Sequence, residues 1–359
     1  MPLEYYPPVT NFLDIITKHS FDVRVWTTHN INNRDVYFNE KLKDTNRSVF
    51  PNKRDSLLNR FAKYCIFNLS CFLGLIIYRP EVIFYYDSYS VFPVFLYVKF
   101  FGKGTKLYIH YHEYEDKESY KNGMKLVKYY HELEKKFLYK RASWISQTNK
   151  DRLHMFASDH PKLPSEVLKI MPNYPPKIWS TQVNGKSKAS EDIIRTVYVG
   201  SLSLKDTFIR EYCDWVLNQK GKVCFHIYAY NLDDDTIDYL TNLNTDYIVL
   251  YAKGVEYDKI PALLADYDIG LILYKAHTKN YEYNAPNKLF EYQACGLKVL
   301  YPDVMLGISH YDSSNVISVN FNTTHSLEPV IIKLSNAGLP NVQCFAEDAI
   351  QELLIELEK

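Results

Sequence analysis

The chain has 359 residues, of which 47% are apolar and 23% charged, with 42 basic and 42 acidic side chains. These values exclude a disordered chain and a nucleic-acid binder working through bulk positive charge, and the length suits two domains of about 150 to 200 residues better than one core. The charge is unevenly spread: residues 1–177 hold 27 Lys and Arg against 18 Asp and Glu, or +9, and the remainder 15 against 24, or −9. A basic first half fits an anionic partner for that half; it fits equally two domains that attract one another. The six cysteines, at 65, 71, 213, 224, 295 and 344, form no CxxC or Cys/His cluster, so neither a zinc site nor a disulfide framework is indicated and a reducing cytoplasm is expected. The start of the chain shows no charged-then-apolar leader pattern. The 32 tyrosines, with many Asn and Lys, match the residue usage of a low-GC genome.

In chain order, Met1 to Tyr6 leaves room for no more than a curtailed strand before Tyr6-Pro7-Pro8. Asn11 to Lys18 then repeats apolar residues at helical spacing, and Asp22 to Trp26 alternates as a strand. Asn30 to Asp55 is polar without a firm period and reads as a long loop. Leu57 to Tyr78 is an apolar helix. Its most apolar part, Tyr64 to Tyr78, is broken by Asn68 and Ser70 and is shorter than the roughly 20 residues a membrane span needs, so a buried helix is expected. Val82 to Tyr86 is a strand ending at Asp87-Ser88, Val91 to Phe101 is helical, and Lys106 to His110 is a strand that runs into His110-Tyr111-His112-Glu113-Tyr114.

Alternate residues of a strand share a face, so His110 and His112 point to one side at a strand end, where open parallel sheets bind ligands. They suit a ligand contact or a pair bonded to its neighbours. A metal site from His110, His112 and Glu113 is disfavoured because no further ligand cluster accompanies them. Lys125 to Arg141 reads as one helix, Lys150 to Ser158 as another, and Val167 to Met171 as a strand. The run Pro172-Asn173-Tyr174-Pro175-Pro176 marks a boundary, giving a first domain over 1–178, a linker over 179–190 and a second domain over 191–359.

The second half opens with a strand from Arg195 that meets Gly200, and further signals lie at Val223 to Tyr228, Tyr247 to Tyr251, Ile260 to Ala265 and Ile269 to Tyr274. Asp233-Asp234-Asp235 is a solvated helix start. Asn284-Ala285-Pro286-Asn287 forms a turn, Lys288 to Ala294 a short helix stopped at Gly296, and Val299-Leu300 the start of a buried strand. Amides at a helix start bind phosphate, and a carboxylate can accept both hydroxyls of a vicinal diol, so Glu291 on this helix suits a nucleotide. A plain helix-start acid that favours the dipole is the other reading. Ala346 to Glu358 is a last amphipathic helix.

The string N-A-P-N-K-L-F-E-Y-Q-A-C-G-L-K-V-L, Asn284 to Leu300, resembles the nucleotide-binding segment of GT-B glycosyltransferases, in particular the retaining group 1 family. The resemblance spans most of the chain and is strongest from Val197 to Leu300. It implies an α/β, GT-B fold of two Rossmann-like domains facing across a cleft, the first binding the acceptor and the second the nucleotide-sugar, with the last helix crossing back. It puts Glu291 on the donor ribose and the backbone of Lys288 and Leu289 at the diphosphate. The family's sugar-binding Glu falls at Tyr283, leaving Glu282 and Asn284 as candidates. Gly200 lies in the phosphate loop, where Ser201 stands in the place of an Arg and Lys205 falls one residue short of the family's Lys. Gly254 and Val255 match the nucleobase contact, and His112 the position near the transferred sugar. Glu134 with Ala142-Ser143 matches a passage late in the first domain.

His112 and Lys205 are thereby the implied catalytic pair. The implied reaction is hexosyl transfer, in polysaccharide biosynthesis, from a nucleotide-sugar to a glycan or lipid-linked acceptor. It proceeds with retention and needs no metal or other cofactor, the leaving phosphate taking the acceptor's proton. A cytoplasmic enzyme is expected, with peripheral contact between its basic first half and an anionic membrane and no nucleic-acid partner. A sugar-nucleotide epimerase is one alternative. A non-catalytic partner subunit is another, on account of the missing Arg, the displaced Glu and the abbreviated start.

Overall fold

The computed structural model describes residues 2–29, 36–52, 55–182, 193–230, 232–243, 245–323, 327–340 and 344–358. The chain forms two compact units, Met1–Pro172 with Ala346–Lys359, and Asn173–Phe345.

In the first unit, α1 (Pro7–Ile16) begins at a proline, whose missing N–H costs nothing in a first turn, and buries Val9, Phe12, Leu13 and Ile16. Strand β1 (Arg24–His29) pairs in parallel with β2 (Asp44–Val49). The loop expected from Asn30 to Asp55 thus contains a strand, while 30–35 and 53–54 lie outside the described residues. Asp-Thr-Asn-Arg-Ser-Val gives no apolar alternation because only Ser48 is buried, and Arg47 reaches Glu4 at 2.7 Å and the Tyr37 carbonyl at 2.8 Å instead of entering a core. Before α1, Pro2 bridges Thr28 and Leu3–Tyr5 make a 3-10 turn.

Helix α2 (Leu57–Tyr78) is capped by Ser56, whose hydroxyl accepts from the Asn59 N–H, and ends at Arg79 with φ 46°. Of its residues only Cys71, Gly74 and Leu75 are buried, so the expected buried helix is a surface helix. Strands β3 (Val82–Tyr86), β4 (Lys106–Tyr111), β5 (Ala142–Gln147) and β6 (Leu168–Ile170) form a parallel sheet in that order. Their connections carry α3 (Val91–Phe100), α4 (Lys117–Asn122), α5 (Lys125–Leu133) and α6 (Lys150–Asp159). The single helix expected over Lys125 to Arg141 is instead α5, a π-helical turn at Glu134–Leu138 and a 3-10 turn at Tyr139–Arg141. The π-turn carries Glu134, a wholly buried carboxylate that accepts from the hydroxyls of Tyr85, Tyr111 and Ser88 at 2.7–2.9 Å and lies 3.2 Å from His131 Nδ1. Four partners explain why a regular helical turn is given up there.

The final helix, Ala346–Leu357, packs on α1 through Ile350, Leu353 and Leu354, in one core with Phe12, Leu13, Tyr108 and Trp144. The five acids of the segment Ala346–Lys359 belong to the first unit, which then holds 27 basic against 23 acidic residues, a net of +4 where the half-chain division gives +9.

The second unit starts at Asn173, ahead of the expected linker over 179–190, at whose start α7 (Ile178–Gln182) is helical and buries Trp179, while 183–190 lie outside the described residues. Strands β7 (Ile194–Val199), β8 (Val223–Tyr228) and β9 (Ile248–Tyr251) alternate with α8 (Ile209–Asn218) and α9 (Asp234–Asn242), which Asp233 caps. Helix α10 (Ile260–Leu264), strand β10 (Ile269–Leu271), α11 (Lys279–Glu282), α12 (Asn287–Ala294), β11 (Lys298–Pro302), β12 (Val316–Val319) and α13 (Leu327–Ser335) follow, before α14, the Ala346–Leu357 helix. The sheet is parallel, in the order β12-β11-β10-β7-β8-β9. The chain runs outward from β7 to β9, then returns to the other side of β7 at β10. Such a reversal opens a crevice beyond the carboxyl ends of the two strands, where open α/β sheets bind ligands.

Candidate functional site

In the second unit the reversal between β7 and β10 is covered by α12. The Val199 N–H, at the end of β7, donates to the Tyr292 hydroxyl at 3.1 Å, and the Tyr292 ring lies on β10 at Gly270. An added Cβ at Gly270 would come within 2.3 Å of that ring, so glycine there lets the helix approach the sheet. Pro286 at the head of α12 supplies no side-chain cap, and no acid stands in the first turn.

Gly200 follows β7 with φ 127°, a conformation open to glycine, and its ideal Cβ position lies 2.8 Å from Lys288 Nζ. Lys288 is buried, donates to the Tyr274 hydroxyl at 2.5 Å, and sits 4.9 and 4.8 Å from the ring centres of Tyr198 and Tyr274. An ammonium desolvated between two phenol faces, over a glycine turn at a strand end, is a fixed positive charge. Glu291 lies three residues on, hence on the same helix face. As the fifth residue of α12 it is outside the first turn, so a helix-start role does not account for it. Burial pushes its carboxyl up to about 7, and the Lys288 ammonium pulls the other way. Cation and acid on adjoining turns match a nucleoside diphosphate, an anion at one end and a diol at the other.

Lys205 is exposed, its carbonyl faces His277 Nε2 at 3.3 Å, and the cation against Gly200 is Lys288. Leu289 is wholly buried and its N–H goes to the Pro286 carbonyl at 3.0 Å, which makes it a core residue and takes that amide away from a diphosphate. Glu282 ends α11 and Asn284 follows, both half-buried on the run into α12. Gly254 has φ 65° and packs under Tyr230, whose ring is 3.2 Å from its ideal Cβ position, while Val255 is half-buried beside it. Tyr198, Tyr230 and Tyr274 were not singled out by the sequence, where nothing marks them among 32 tyrosines.

In the first unit the strand ends of β3 and β4 bring Asp87 to His112. Asp87 accepts from the His112 N–H at 3.0 Å and lies 3.1 Å from its Nδ1. A carboxylate there sets the proton on Nδ1 and leaves Nε2 as an acceptor. That Nε2 is buried and has no hydrogen-bond partner, and Tyr86 stacks on the ring at 4.9 Å. His112 is further fixed by Arg152, which donates to its carbonyl at 2.9 Å. Asp87 itself has φ 53°, and is held by its N–H to the His110 carbonyl at 3.0 Å. Strain of this kind collects at functional positions.

His110 faces the Ser146 hydroxyl at 2.8 Å, and burial first, then the neighbouring His112 and Arg152, hold it neutral, well below the ordinary histidine range. Glu113 is exposed. Among the described residues no group of three or more His, Cys, Asp or Glu is placed to hold a metal ion. Asp87, which sequence reading left as a strand terminus, is the residue it missed; an Asp at the carboxyl end of a buried strand was the available signal.

No protein-family model matches the chain, and no curated protein matches it by sequence. Solved structures do match its fold. Sucrose-phosphate synthase from Thermosynechococcus elongatus is 13% identical with a TM-score of 0.60, over 96% of this chain and 88% of that one. HepE from Anabaena, in complex with UDP and glucose, is 10% identical with a TM-score of 0.60, over 94% and 99%. The UDP-GlcNAc 2-epimerase from Neisseria meningitidis, bound to UDP-GlcNAc, is 10% identical with a TM-score of 0.54, over 94% and 100%. The chain therefore has the α/β GT-B fold.

Proposed function

We propose that this chain is a nucleotide-sugar-dependent glycosyltransferase of the retaining group 1 type, moving a hexosyl group to a glycan or lipid-linked acceptor. The observation that carries the reading is the Lys288 ammonium over Gly200 at the β7/β10 reversal, with Glu291 one turn further along α12. Lys288 neutralises the diphosphate of the donor, and this local cation replaces the arginine absent at Ser201. Glu291 accepts the ribose hydroxyls as a carboxylate. Tyr230 and Gly254 border the base, and Glu282 and Asn284 the sugar. As charge grows on the leaving diphosphate, a buried ammonium that needs no reorganisation stabilises it.

His112, oriented by Asp87, accepts a hydrogen bond from a sugar hydroxyl through Nε2. The leaving phosphate takes the acceptor's proton, and no metal takes part. Solved neighbours bound to UDP, to UDP with glucose and to UDP-GlcNAc support the ligand class. The same set, containing epimerases, supports as a second reading a reaction that needs no acceptor. A thermal-shift screen of UDP-, GDP-, ADP- and CMP-sugars, followed by product analysis with and without acceptor and with EDTA, tests this. Acceptor-dependent transfer that survives chelation is expected. Conversion of the sugar-nucleotide alone gives the epimerase, and EDTA loss restored by manganese overturns the metal-free mechanism.

A further inference from the structure

Helix α2 is apolar on its outer as well as its inner side: Cys71, Phe72, Leu75 and Ile76 pack into the core of the first unit, and a second apolar row faces outward. Leu58, Phe61, Ile66, Leu69, Leu73 and Ile77 recur every three to five residues along one face, and each is between 48% and 83% exposed. Three of its polar residues are hydrogen-bonded. Lys63 pairs with Asp55 at 2.7 Å, the Ser70 hydroxyl donates to Asn46 at 3.2 Å, and the Asn68 amide donates to the Tyr64 carbonyl at 2.7 Å. Water does not select an apolar stripe about 29 Å long on a surface helix.

We propose that this face docks the first unit on an anionic bilayer surface, with α2 lying along the membrane without crossing it. The charge around the stripe favours that occupant. Neither α2 nor α3 contains an Asp or Glu. At the end of α3, Phe100 and Phe101 are 63% and 56% exposed, Phe101 lies 6.1 Å from Phe72 of α2, and Lys99 Nζ stands 5.2 and 5.9 Å from the Phe100 and Phe137 rings. Lys136, Lys140 and Arg141, all exposed, flank Phe137 in the chain. Aromatic and aliphatic side chains beside lysines and an arginine form an interfacial surface for anionic headgroups.

A second copy is a poorer occupant, since a two-fold interface would set this basic rim against itself with no acids from either helix to balance it. By length and composition α2 could cross a membrane. Its inner side is committed to the unit, however: an added Cβ on Gly74 would lie 2.2 Å from the Trp26 ring, and the Lys63–Asp55 pair ties the first turns to the preceding segment.

The test is flotation of the full chain with vesicles of phosphatidylcholine alone or with 30% phosphatidylglycerol, at low and at physiological salt, for wild type and the Leu69→Glu/Leu73→Glu variant. Both positions are exposed, so the variant should keep its melting temperature and circular dichroism. Wild type should float with anionic vesicles and the variant should partition at least roughly tenfold less, with the wild-type fraction falling as salt rises. Equal flotation of the two proteins overturns the proposal, as does wild type remaining unbound to every vesicle. A wild-type dimer that the substitutions convert to monomer gives the face to a second copy, and resistance to alkaline carbonate gives it to a span; either result overturns peripheral docking. None of these outcomes depends on the reaction catalysed.

Discussion

Glu291 and His112 show two ways a single residue can be read from sequence. Glu291 was legible because its Pro, Lys and Gly neighbours fix a short helix after a turn, and its place beyond the first turn follows once the helix is counted. His112 was legible as a strand-end histidine, but its partner Asp87 lies 25 residues away, and only the parallel pairing of β3 with β4 brings the two together. Glu291 carries a pH dependence whose sign follows from its raised pKa. The folded chain keeps a proton that the unfolded chain releases near 4.5, so stability is full below that pH, falls as pH rises toward about 7, and is level above. Glu291→Gln should therefore be more stable than wild type at pH 8, by on the order of 1 to 3 kcal/mol, and little different at pH 4.5, as read by urea melts at the two pH values. Nucleotide binding needs the carboxylate, so wild-type affinity should rise from pH 6 to 8, with proton release in calorimetry that the Gln variant lacks. For Asp87 the expectation is a loss of orientation without loss of donor. Asp87→Asn should lower kcat by roughly ten- to hundred-fold at an unchanged donor Kd, and added to His112→Ala it should cost no more than His112→Ala alone. Additive losses in that cycle would separate the two residues.

At the level of elements, strands rich in β-branched and aromatic residues were the easiest to read, since Val82 to Tyr86 and Val223 to Tyr228 match β3 and β8 residue for residue. Strand β2 escaped because an exposed, polar strand has no hydrophobic period to detect. The apolar character of α2 was plain, but hydrophobicity does not say which side of a helix faces protein, and the expectation of burial fell there. The break in the helix after Leu133 follows from a buried carboxylate collecting donors from β3, β4 and α5, a tertiary demand with no local sign. The joint that holds α12 over the β7/β10 reversal is the Tyr292 hydroxyl on the Val199 N–H. Tyr292→Phe leaves that buried N–H without its acceptor and should cost about 1 to 3 kcal/mol, with a matching weakening of nucleotide binding as α12 loosens. Denaturant melts and donor titration of the same variant check it; unchanged stability would mean that the ring alone holds the helix.

For the molecule as a whole, two α/β units were legible from the Pro-rich boundary and the repeated strand signals, and the comparison structures carry the fold across nearly the full chain. The return of α14 to the first unit follows from an apolar face that meets α1, and it reduces the charge contrast between the units from nine charges each to four. The cation set against Gly200 is Lys288, because the Tyr292–Val199 bond holds α12 over the chain reversal. The central claim is that this crevice holds a nucleotide-sugar. It is tested most directly by calorimetric titration of wild type and Glu291→Ala at pH 7.5 with the best of the UDP-, GDP-, ADP- and CMP-sugars. Loss of charge-assisted bonds of roughly 1.5 to 3 kcal/mol should weaken binding on the order of ten- to hundred-fold while the melting temperature is kept or raised. Equal dissociation constants for the two proteins, or no binding of any of these donors by wild type, would contradict it.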